Sequence, residues 1–378
     1  MDTYQRHRIT WRVLYALVSP WLCPMFNLSH EDLHLDGPCV IVPNHTNAWD
    51  PLFVAMSLRD KQVYFVASEH LFRQGLISWI LGKLVAPISR SKASSGTDTV
   101  KACLRHLKSG HSVCLFAEGE QCWDGRTTPI FPATGKLIKV SGASLVTFRV
   151  EGGYLSKPRW AYSLRRGRIH VGPVRIYSPQ ALREMSAAEV NASIQRDISE
   201  DAWQRRKAHP VAFRGRRRAE GLERALFLCP NCGSMGTLRS SANRLFCKCG
   251  LSVTYAVDGS FVPSVPFPTL AEWDAWQHDQ LRRRAFPHDE LLFSDEKLRL
   301  TRIEAGHREK PVGCGRLEQY EERLVCAGHS FRLADVDNMA MVQANLLLLS
   351  CQGQYWQIRA GGRINLRKYL AIWREKKA

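Results

Sequence analysis

Cys39-Val-Ile-Val-Pro-Asn-His-Thr-Asn-Ala-Trp-Asp-Pro51 is the stretch on which the reading of the fold turns. The apolar run Cys39 to Val42 reads as a strand, and the polar residues after Pro43 read as the loop that leaves it. Outward from it, Val63 to Ala67, Ser112 to Ala117 and Ser144 to Val150 read as further strands, with helical patterns between them. Thr97 is placed to cap a helix carrying Val100, Leu104 and Leu107 on one face, and Gly110 to stop it. Strands alternating with helices make this an α/β domain. Leu71 to Leu84 is apolar all round, which suits either a central core helix or one facing a membrane.

Composition narrows the class. The 378 residues are 45% hydrophobic and 23% charged, which excludes disordered, collagenous and small disulfide-scaffold proteins. The net charge is +18, and +16 of it lies in residues 1 to 250, so the basic surface suits a polyanionic partner, nucleic acid or an anionic membrane face. Of the 12 cysteines, eight are scattered singly and four cluster within 21 residues, the pattern of a reducing cytosol. The N-terminus has Arg6, Arg8 and Arg12 ahead of an apolar stretch but no small-x-small cleavage site. Its uncharged run, Val13 to Ser29, holds Pro20 and Pro24, which are expected to break a spanning helix. An interfacial segment over 1–28 is expected instead, with Trp11, Tyr15 and Trp21 as anchors.

The loop after the first strand carries the candidate chemistry. An imidazole that titrates near neutrality can take a proton from a hydroxyl, and a carboxylate on its other nitrogen fixes the tautomer. His45 and Asp50 have the spacing for such a dyad. Asp50 before Pro51 equally has the form of a helix N-cap followed by a first-turn proline, with His45 merely satisfying loop carbonyls. Farther on, Ile88-Ser89-Arg90 supplies a guanidinium, and Phe116-Ala117-Glu118-Gly119-Glu120-Gln121 leaves the third strand at a glycine that allows close approach.

In this order and spacing the blocks resemble the glycerolipid acyltransferase family, which includes the lysophosphatidic acid acyltransferases. The family's N-H-x-x-x-x-D is matched by Asn44, His45 and Asp50, the arginine of its second block by Arg90, and its F-P-E-G-x-R by Phe116, Glu118 and Gly119. The resemblance covers roughly residues 10 to 205, including a basic hairpin expected over Leu164 to Val174. It implies acyl transfer from a thioester to a lipid hydroxyl, with His45 as base and Asp50 as its orienter, and with Asn44, Arg90, Glu118, Gly119, Gln121, Arg126 and Lys136 expected at the substrate. Backbone amides near Gly119 are the expected oxyanion donors. Ala117 stands where the family has proline, and Gln121 where it has the arginine that grips the acceptor phosphate. Gln cannot supply that charge, so Arg90, Arg126, Lys136 or Arg149 is expected to compensate, or the acceptor to lack a phosphate monoester.

The remainder reads as appended modules. Residues 205–225 form a basic linker, with seven Lys or Arg and no acid between 205 and 218. Over 226–258, Cys229-Pro-Asn-Cys232 and Cys247-Lys-Cys249 give two thiolate pairs separated by 14 residues, which resembles a structural zinc ribbon, one residue short of the usual spacing in its second pair. A linker and helix follow over 259–289, with the helix at Leu270 to Arg284. Residues 290–378 read as a β-rich module that loosely resembles a pleckstrin-homology fold, closed by a helix from Asn365 to Glu375 bearing Leu366, Tyr369, Leu370 and Trp373.

The expected protein is therefore an α/β acyltransferase domain over 29–204 with a zinc ribbon and a β-rich module. It would be cytoplasmic and peripheral on the inner face of the cell membrane, using acyl-CoA or acyl carrier protein as donor and a lysophospholipid such as 1-acyl-glycerol-3-phosphate as acceptor. The competing expectation is a non-catalytic zinc-ribbon protein binding nucleic acid or membrane through its basic surface. The ribbon's loop, Gly233 to Phe246, has few basic or aromatic residues, which disfavours nucleic acid.

Overall fold

The computed structural model describes residues 3–68, 86–90, 96–264, 266–304 and 308–377. The apolar segment Leu71 to Leu84 lies outside the described residues. By its contacts the chain divides into two compact units, one of residues 1–158 and 165–214, the other of 159–164 and 215–378.

The first unit is built on a seven-stranded sheet of β1 (Leu28–His30), β2 (Cys39–Pro43), β3 (Val63–Ser68), β4 (Ile88–Arg90), β5 (Ser112–Cys114), β6 (Ser144–Glu151) and β7 (Ile169–Tyr177). Their order is β1-β7-β6-β2-β5-β3-β4, and every pairing is parallel except β6 with β7. All five residues of β2 are buried, because β2 lies between β5 and β6. The third strand is shorter than its apolar run suggested: it ends at Cys114, the Leu115 amide makes one more bond to the Ile41 carbonyl at 3.0 Å, and Phe116 and Ala117 belong to the departing loop. The basic stretch Leu164 to Val174 is not a hairpin. From Ile169 it is a single strand, which pairs antiparallel with β6.

Two helix ends differ from expectation. The helix Thr97–Lys108 begins on Gly96, whose φ of 72° makes it the capping position, so Thr97 is already inside the first turn. At the N-terminus one helix runs from Thr3 to Phe26, straight through Pro20 and Pro24. The residues beyond the prolines are locked by packing, with Leu22 and Phe26 fully buried and Phe26 against Phe53 at 4.8 Å, which offsets the lost backbone bonds. Trp11 and Tyr15 are not free anchors. The Trp11 indole donates to the Leu58 carbonyl at 2.9 Å, and Tyr15 packs edge-on against Trp11. The opposite face carries Ile9, Val13, Leu17 and Trp21, each four residues from the last and 51%, 54%, 70% and 58% exposed. No described helix is long and apolar enough to cross a membrane.

The basic run is only partly a solvated one. The helix Ala202–Ala208 passes through its start, and Arg205 grips both oxygens of Glu200 at 2.6 and 2.8 Å and Glu151 at 2.8 Å. Arg214 pairs its backbone with Arg166, while Arg218 bonds the carbonyls of Gly215 and Tyr255.

The second unit packs a four-stranded antiparallel sheet, β8 (Arg239–Ser241), β9 (Arg244–Phe246), β10 (Ser252–Tyr255) and β11 (Phe261–Val262), with the helix Leu270–Arg283. Seven antiparallel strands follow: β12 (Phe293–Ile303), β13 (Glu309–Gln319), β14 (Arg323–Cys326), β15 (His329–Arg332), β16 (Val336–Val342), β17 (Leu346–Cys351) and β18 (Gln354–Ala360). Their order is β15-β14-β13-β12-β18-β17-β16, and the helix Arg367–Lys377 closes the chain. Leu366, Tyr369 and Leu370 are buried there as expected, while Trp373 is only partly covered. A polar seam ties these pieces together. Arg367 forms a two-pronged ion pair with buried Asp274, and Gln277 accepts from the Phe227 amide at 2.8 Å and donates to the Ala225 carbonyl at 3.1 Å. Lys368, also buried, reaches Asp295 at 2.7 Å.

Candidate active site and cysteine cluster

In a parallel sheet the strands all deliver their following loops to one edge, and the crevice opens where consecutive connections leave in opposite directions. The chain makes that reversal at β2, passing from β5 on one side to β6 on the other. His45 follows β2, Glu118 follows β5 and Gly152 follows β6, so all three arrive at one place.

The turn Thr46 to Trp49 folds the loop back so that the His45 ring meets the first helical residue, Asp50. His45 Nδ1 lies 2.9 Å from Asp50 Oδ2. That oxygen also accepts the backbone N–H groups of Thr46 at 2.5 Å and Asn47 at 2.9 Å, and Oδ1 accepts the Thr46 hydroxyl at 2.8 Å. An oxygen already taking two N–H bonds is an acceptor, so Nδ1 carries the hydrogen and Nε2 the lone pair. Asp50 is fully buried and does not cap the helix. Trp49 holds the capping position, with no side-chain bond to the helix. The imidazole also stacks on Phe116, ring centres 4.2 Å apart, which fixes its plane.

Two residues expected to touch substrate turn out to hold this loop in place. Asn44 donates to the Val150 carbonyl at 3.0 Å and accepts from the Val150 amide at 2.7 Å, so its amide group is spent on β6. Glu118 is buried, with Oε1 accepting the His45 amide at 2.6 Å and Oε2 accepting the Thr128 amide at 2.6 Å and its hydroxyl at 2.8 Å. Burial pushes the Glu118 carboxyl up to about 7, while the bonds from Thr128 and His45 pull the other way. Glu118→Gln places an NH2 group against an N–H donor on one side or the other. A loss of about 1–3 kcal/mol in chemical denaturation is expected, together with a fall in kcat larger than any rise in KM, because the His45 amide loses its tether. Unchanged denaturation would contradict the brace.

Gly119 is required where it stands. Its φ is 74°, and an added Cβ would lie 2.1 Å from the Phe131 ring. Its amide is not an oxyanion donor, since it donates to the Phe116 carbonyl at 3.1 Å. Arg90 also lies against Phe131, its guanidinium 4.5 Å from the ring centre, and burial pulls its pKa downward. Arg90 and Gly119, both singled out in the sequence, thus meet on Phe131, to which the sequence blocks did not point. The other expected cations are placed elsewhere. Arg126 pairs with Asp201 at 3.2 Å, Arg149 caps the Asp197 carbonyl at 2.6 Å, and Lys136 is exposed on the helix Ala133–Ser141. Gln121 is partly buried beside them in sequence.

Sequence reasoning missed Thr46, Asn47, Thr128 and Phe131. The first two had a signal, because short polar residues three and four positions before an aspartate are the makings of a side-chain-stabilised turn. Thr128 and Phe131 had none, since their partners are 10 and 12 residues away along an irregular loop.

In the second unit, the Sγ atoms of Cys229, Cys232, Cys247 and Cys249 all lie within 4.8 Å of one another. The Cys229–Cys249 and Cys232–Cys247 separations are 3.6 and 3.9 Å. A tetrahedron of about 2.3 Å zinc–sulfur bonds has edges of about 3.8 Å, close to the two shorter separations, so the thiol set has the size to hold a metal ion. The shortened second pair still closes: Cys247 bonds the Leu251 carbonyl, and Gly250 turns the chain back at φ 97°.

Residues 26–151 match the acyltransferase family model. The chain is 30% identical over 142 residues to a chloroplastic 1-acyl-sn-glycerol-3-phosphate acyltransferase of Brassica napus, a match covering 37% of this chain and 40% of that one. It is 28% identical over 144 residues to a chloroplastic enzyme of the same name from Arabidopsis thaliana, covering 37% and 39%. The match thus spans about two fifths of the length of these curated relatives. A solved structure, the 1-acyl-sn-glycerophosphate acyltransferase PlsC of Thermotoga maritima, aligns at 16% identity and a TM-score of 0.42, over 50% of this chain and 75% of that one.

Proposed function

We propose that the acyltransferase domain of this chain moves a fatty acyl group from a thioester of coenzyme A or acyl carrier protein to the hydroxyl of a lysophospholipid of the 1-acyl-glycerol-3-phosphate kind. The observation that carries the reading is the His45 imidazole, held at Nδ1 by a buried carboxylate that three further donors orient, and left with its basic Nε2. Nε2 takes the acceptor's hydroxyl proton as that oxygen bonds to the thioester carbonyl carbon. The tetrahedral adduct then collapses, the carbon–sulfur bond breaks, and the departing thiolate recovers the proton from His45. Asp50 stabilises the imidazolium between those steps. Arg90, seated on Phe131, is the cation proposed to meet the acceptor's phosphate in place of the arginine that Gln121 replaces.

The test is incubation with radiolabelled acyl-CoA and vesicles containing 1-oleoyl-glycerol-3-phosphate, read as labelled phosphatidic acid. Label in no lipid product with either thioester donor would overturn the reading. The four cysteines are proposed to hold one structural zinc, which would supply folding energy to the second unit and no chemistry to the first.

Attachment to the cytoplasmic face of a membrane is proposed through the stripe Ile9, Val13, Leu17 and Trp21, with Arg6, Arg8 and Arg12 nearby for anionic headgroups. Burying a Leu or Trp side chain in lipid is worth about 1.5–3 kcal/mol. Leu17→Glu/Trp21→Glu is therefore expected to lower vesicle partitioning at least about a hundredfold. The folding transition should stay where it is, because both side chains point away from the domain. Undiminished co-sedimentation would show that the stripe does not bind lipid.

A further inference from the structure

A second set of side chains in the first unit has the order of a nucleophile, a base and a carboxylate. It lies where β1 pairs parallel with β7, in the register that sets Ser29 opposite His170. Paired positions of neighbouring strands share a face of the sheet, so the hydroxyl and the imidazole stand side by side. Ser29 Oγ lies 3.0 Å from His170 Nδ1 and 3.3 Å from the Ile169 carbonyl, which makes the imidazole the nearer acceptor for the hydroxyl hydrogen. The other ring nitrogen, Nε2, lies 3.3 Å from Glu31 Oε1.

Glu31 reaches the ring for two reasons. Its amide donates to the Val171 carbonyl at 3.0 Å, which carries the pairing one residue past β1. Beside it on β7 stands Gly172, where a Cβ would lie 3.2 Å from the Glu31 Cβ and 3.3 Å from Oε2, so the missing side chain leaves the carboxylate its room. An ionised carboxylate has no hydrogen to give. Nε2 therefore carries the ring hydrogen, and Nδ1 turns its lone pair to Ser29. Glu151 meets His170 in register from β6, but Arg205 holds that carboxylate at 2.8 Å.

The His170 imidazole is also a wall of a cavity of about 300 Å³, to which Leu155, Val211 and Phe213 give an apolar side and Arg168 a guanidinium. Ser29 itself is exposed, so an external ester can reach its hydroxyl. A hydroxyl beside an imidazole whose tautomer a carboxylate fixes, next to an apolar hollow and a cation, has the parts needed to cleave an acyl ester.

We propose that Ser29, His170 and Glu31 form a second catalytic site, a serine esterase for carboxylic esters of short acyl chains, which works without His45. Ser29 Oγ bonds to the ester carbonyl carbon as its hydrogen passes to His170 Nδ1. Arg168 faces the oxyanion, and the acyl chain turns toward Val211 and Phe213. The carbon–alkoxy bond then breaks, and the alcohol leaves with the hydrogen from Nδ1. Water next attacks the acylated Ser29 and gives a proton to Nδ1, the carboxylic acid departs, and the hydrogen returns to Oγ.

Two measurements on the full chain test this. A fluorophosphonate, which phosphonylates activated serines, should label Ser29, as located by peptide mass spectrometry of the wild-type protein, a readout that needs no variant to fold. Hydrolysis of p-nitrophenyl butyrate should fall at least about tenfold in Ser29→Ala and in His170→Gln, and should persist in His45→Ala. A wild-type protein whose Ser29 stays unlabelled would overturn the proposal. So would undiminished hydrolysis in Ser29→Ala, and loss of hydrolysis in His45→Ala would assign the activity to the acyltransferase site instead.

Discussion

His45→Ala should lower acyl transfer by about 10³-fold while leaving the thermal unfolding transition within a few degrees of wild type. The rate estimate follows from what a positioned general base contributes, about 10² to 10⁴-fold. The stability estimate follows from the site: the ring is partly buried in a loop, and the bonds that hold that loop, from Asn44, Glu118 and the His45 main chain to the Cys122 amide, do not involve the imidazole. Asp50→Asn makes the sharper comparison. The amide keeps the size of the carboxylate but not its charge, and its NH2 group stands either where Oδ2 meets Nδ1 and the Thr46 and Asn47 amides or where Oδ1 meets the Thr46 hydroxyl, so it disturbs the imidazole's partner and the turn together. Its activity should fall about as far as that of His45→Ala, and the double variant should fall little further, because the two residues act as one unit. Label transfer by His45→Ala at the wild-type rate would remove the mechanism. Additive losses in the double variant would remove the dyad.

That the dyad could be found in the sequence at all is a matter of distance along the chain. His45 and Asp50 are five residues apart, and the turn between them is written in Thr46 and Asn47. The strands were legible for the same reason, since an apolar run such as Cys39 to Val42 carries its own signal. What was not legible depends on partners far away. Glu118 and Asn44 sit inside matched family blocks, which suggests substrate contact. Only the fold shows Asn44 spending its amide on Val150, 106 positions on, and Glu118 joining His45 to Thr128. Arg205 is one basic residue among seven until Glu200 and Glu151 are seen around it. Pro20 and Pro24 argue locally for a broken helix, and packing of Leu22 and Phe26 overrides them. The inclusion of residues 159–164 in the second unit has no local signature whatever. It shows in the third dimension, where a Cβ on Gly221 would strike the Trp160 carbonyl at 2.0 Å and where Arg224 lies over the Tyr162 ring at 4.1 Å.

That interlocked second unit sets the scale of the other large effect, which is expected on removing a metal from the cysteine cluster. Elemental analysis of the purified full chain should find one zinc per molecule, and a strong chelator with mild denaturant should remove it. A structural zinc typically contributes about 10–16 kcal/mol in apparent binding energy to small folded peptides, more than the net stability of most domains. The loss should not stop at the cysteine turns. Cys229 adjoins Leu228, whose carbonyl accepts the buried Trp273 indole at 3.0 Å, and Phe227, whose amide is held by Gln277. Both partners lie on the helix Leu270–Arg283, which holds Asp274 against Arg367 at the start of the closing helix. If the turns open, Trp273 and Gln277 lose their partners and the buried Arg367–Asp274 pair loses its surroundings, at a cost of several kcal/mol for an ion pair of this kind. Hydrogen exchange after chelation should therefore accelerate first over residues 226–258 and then along 270–283 and 367–377, while β2, β5 and β6 of the other unit stay protected. Cys247→Ser should reproduce the pattern without chelator. Zinc absent from the protein as purified, or exchange unchanged after its removal, would mean that the hydrogen-bonded seam holds this unit together by itself.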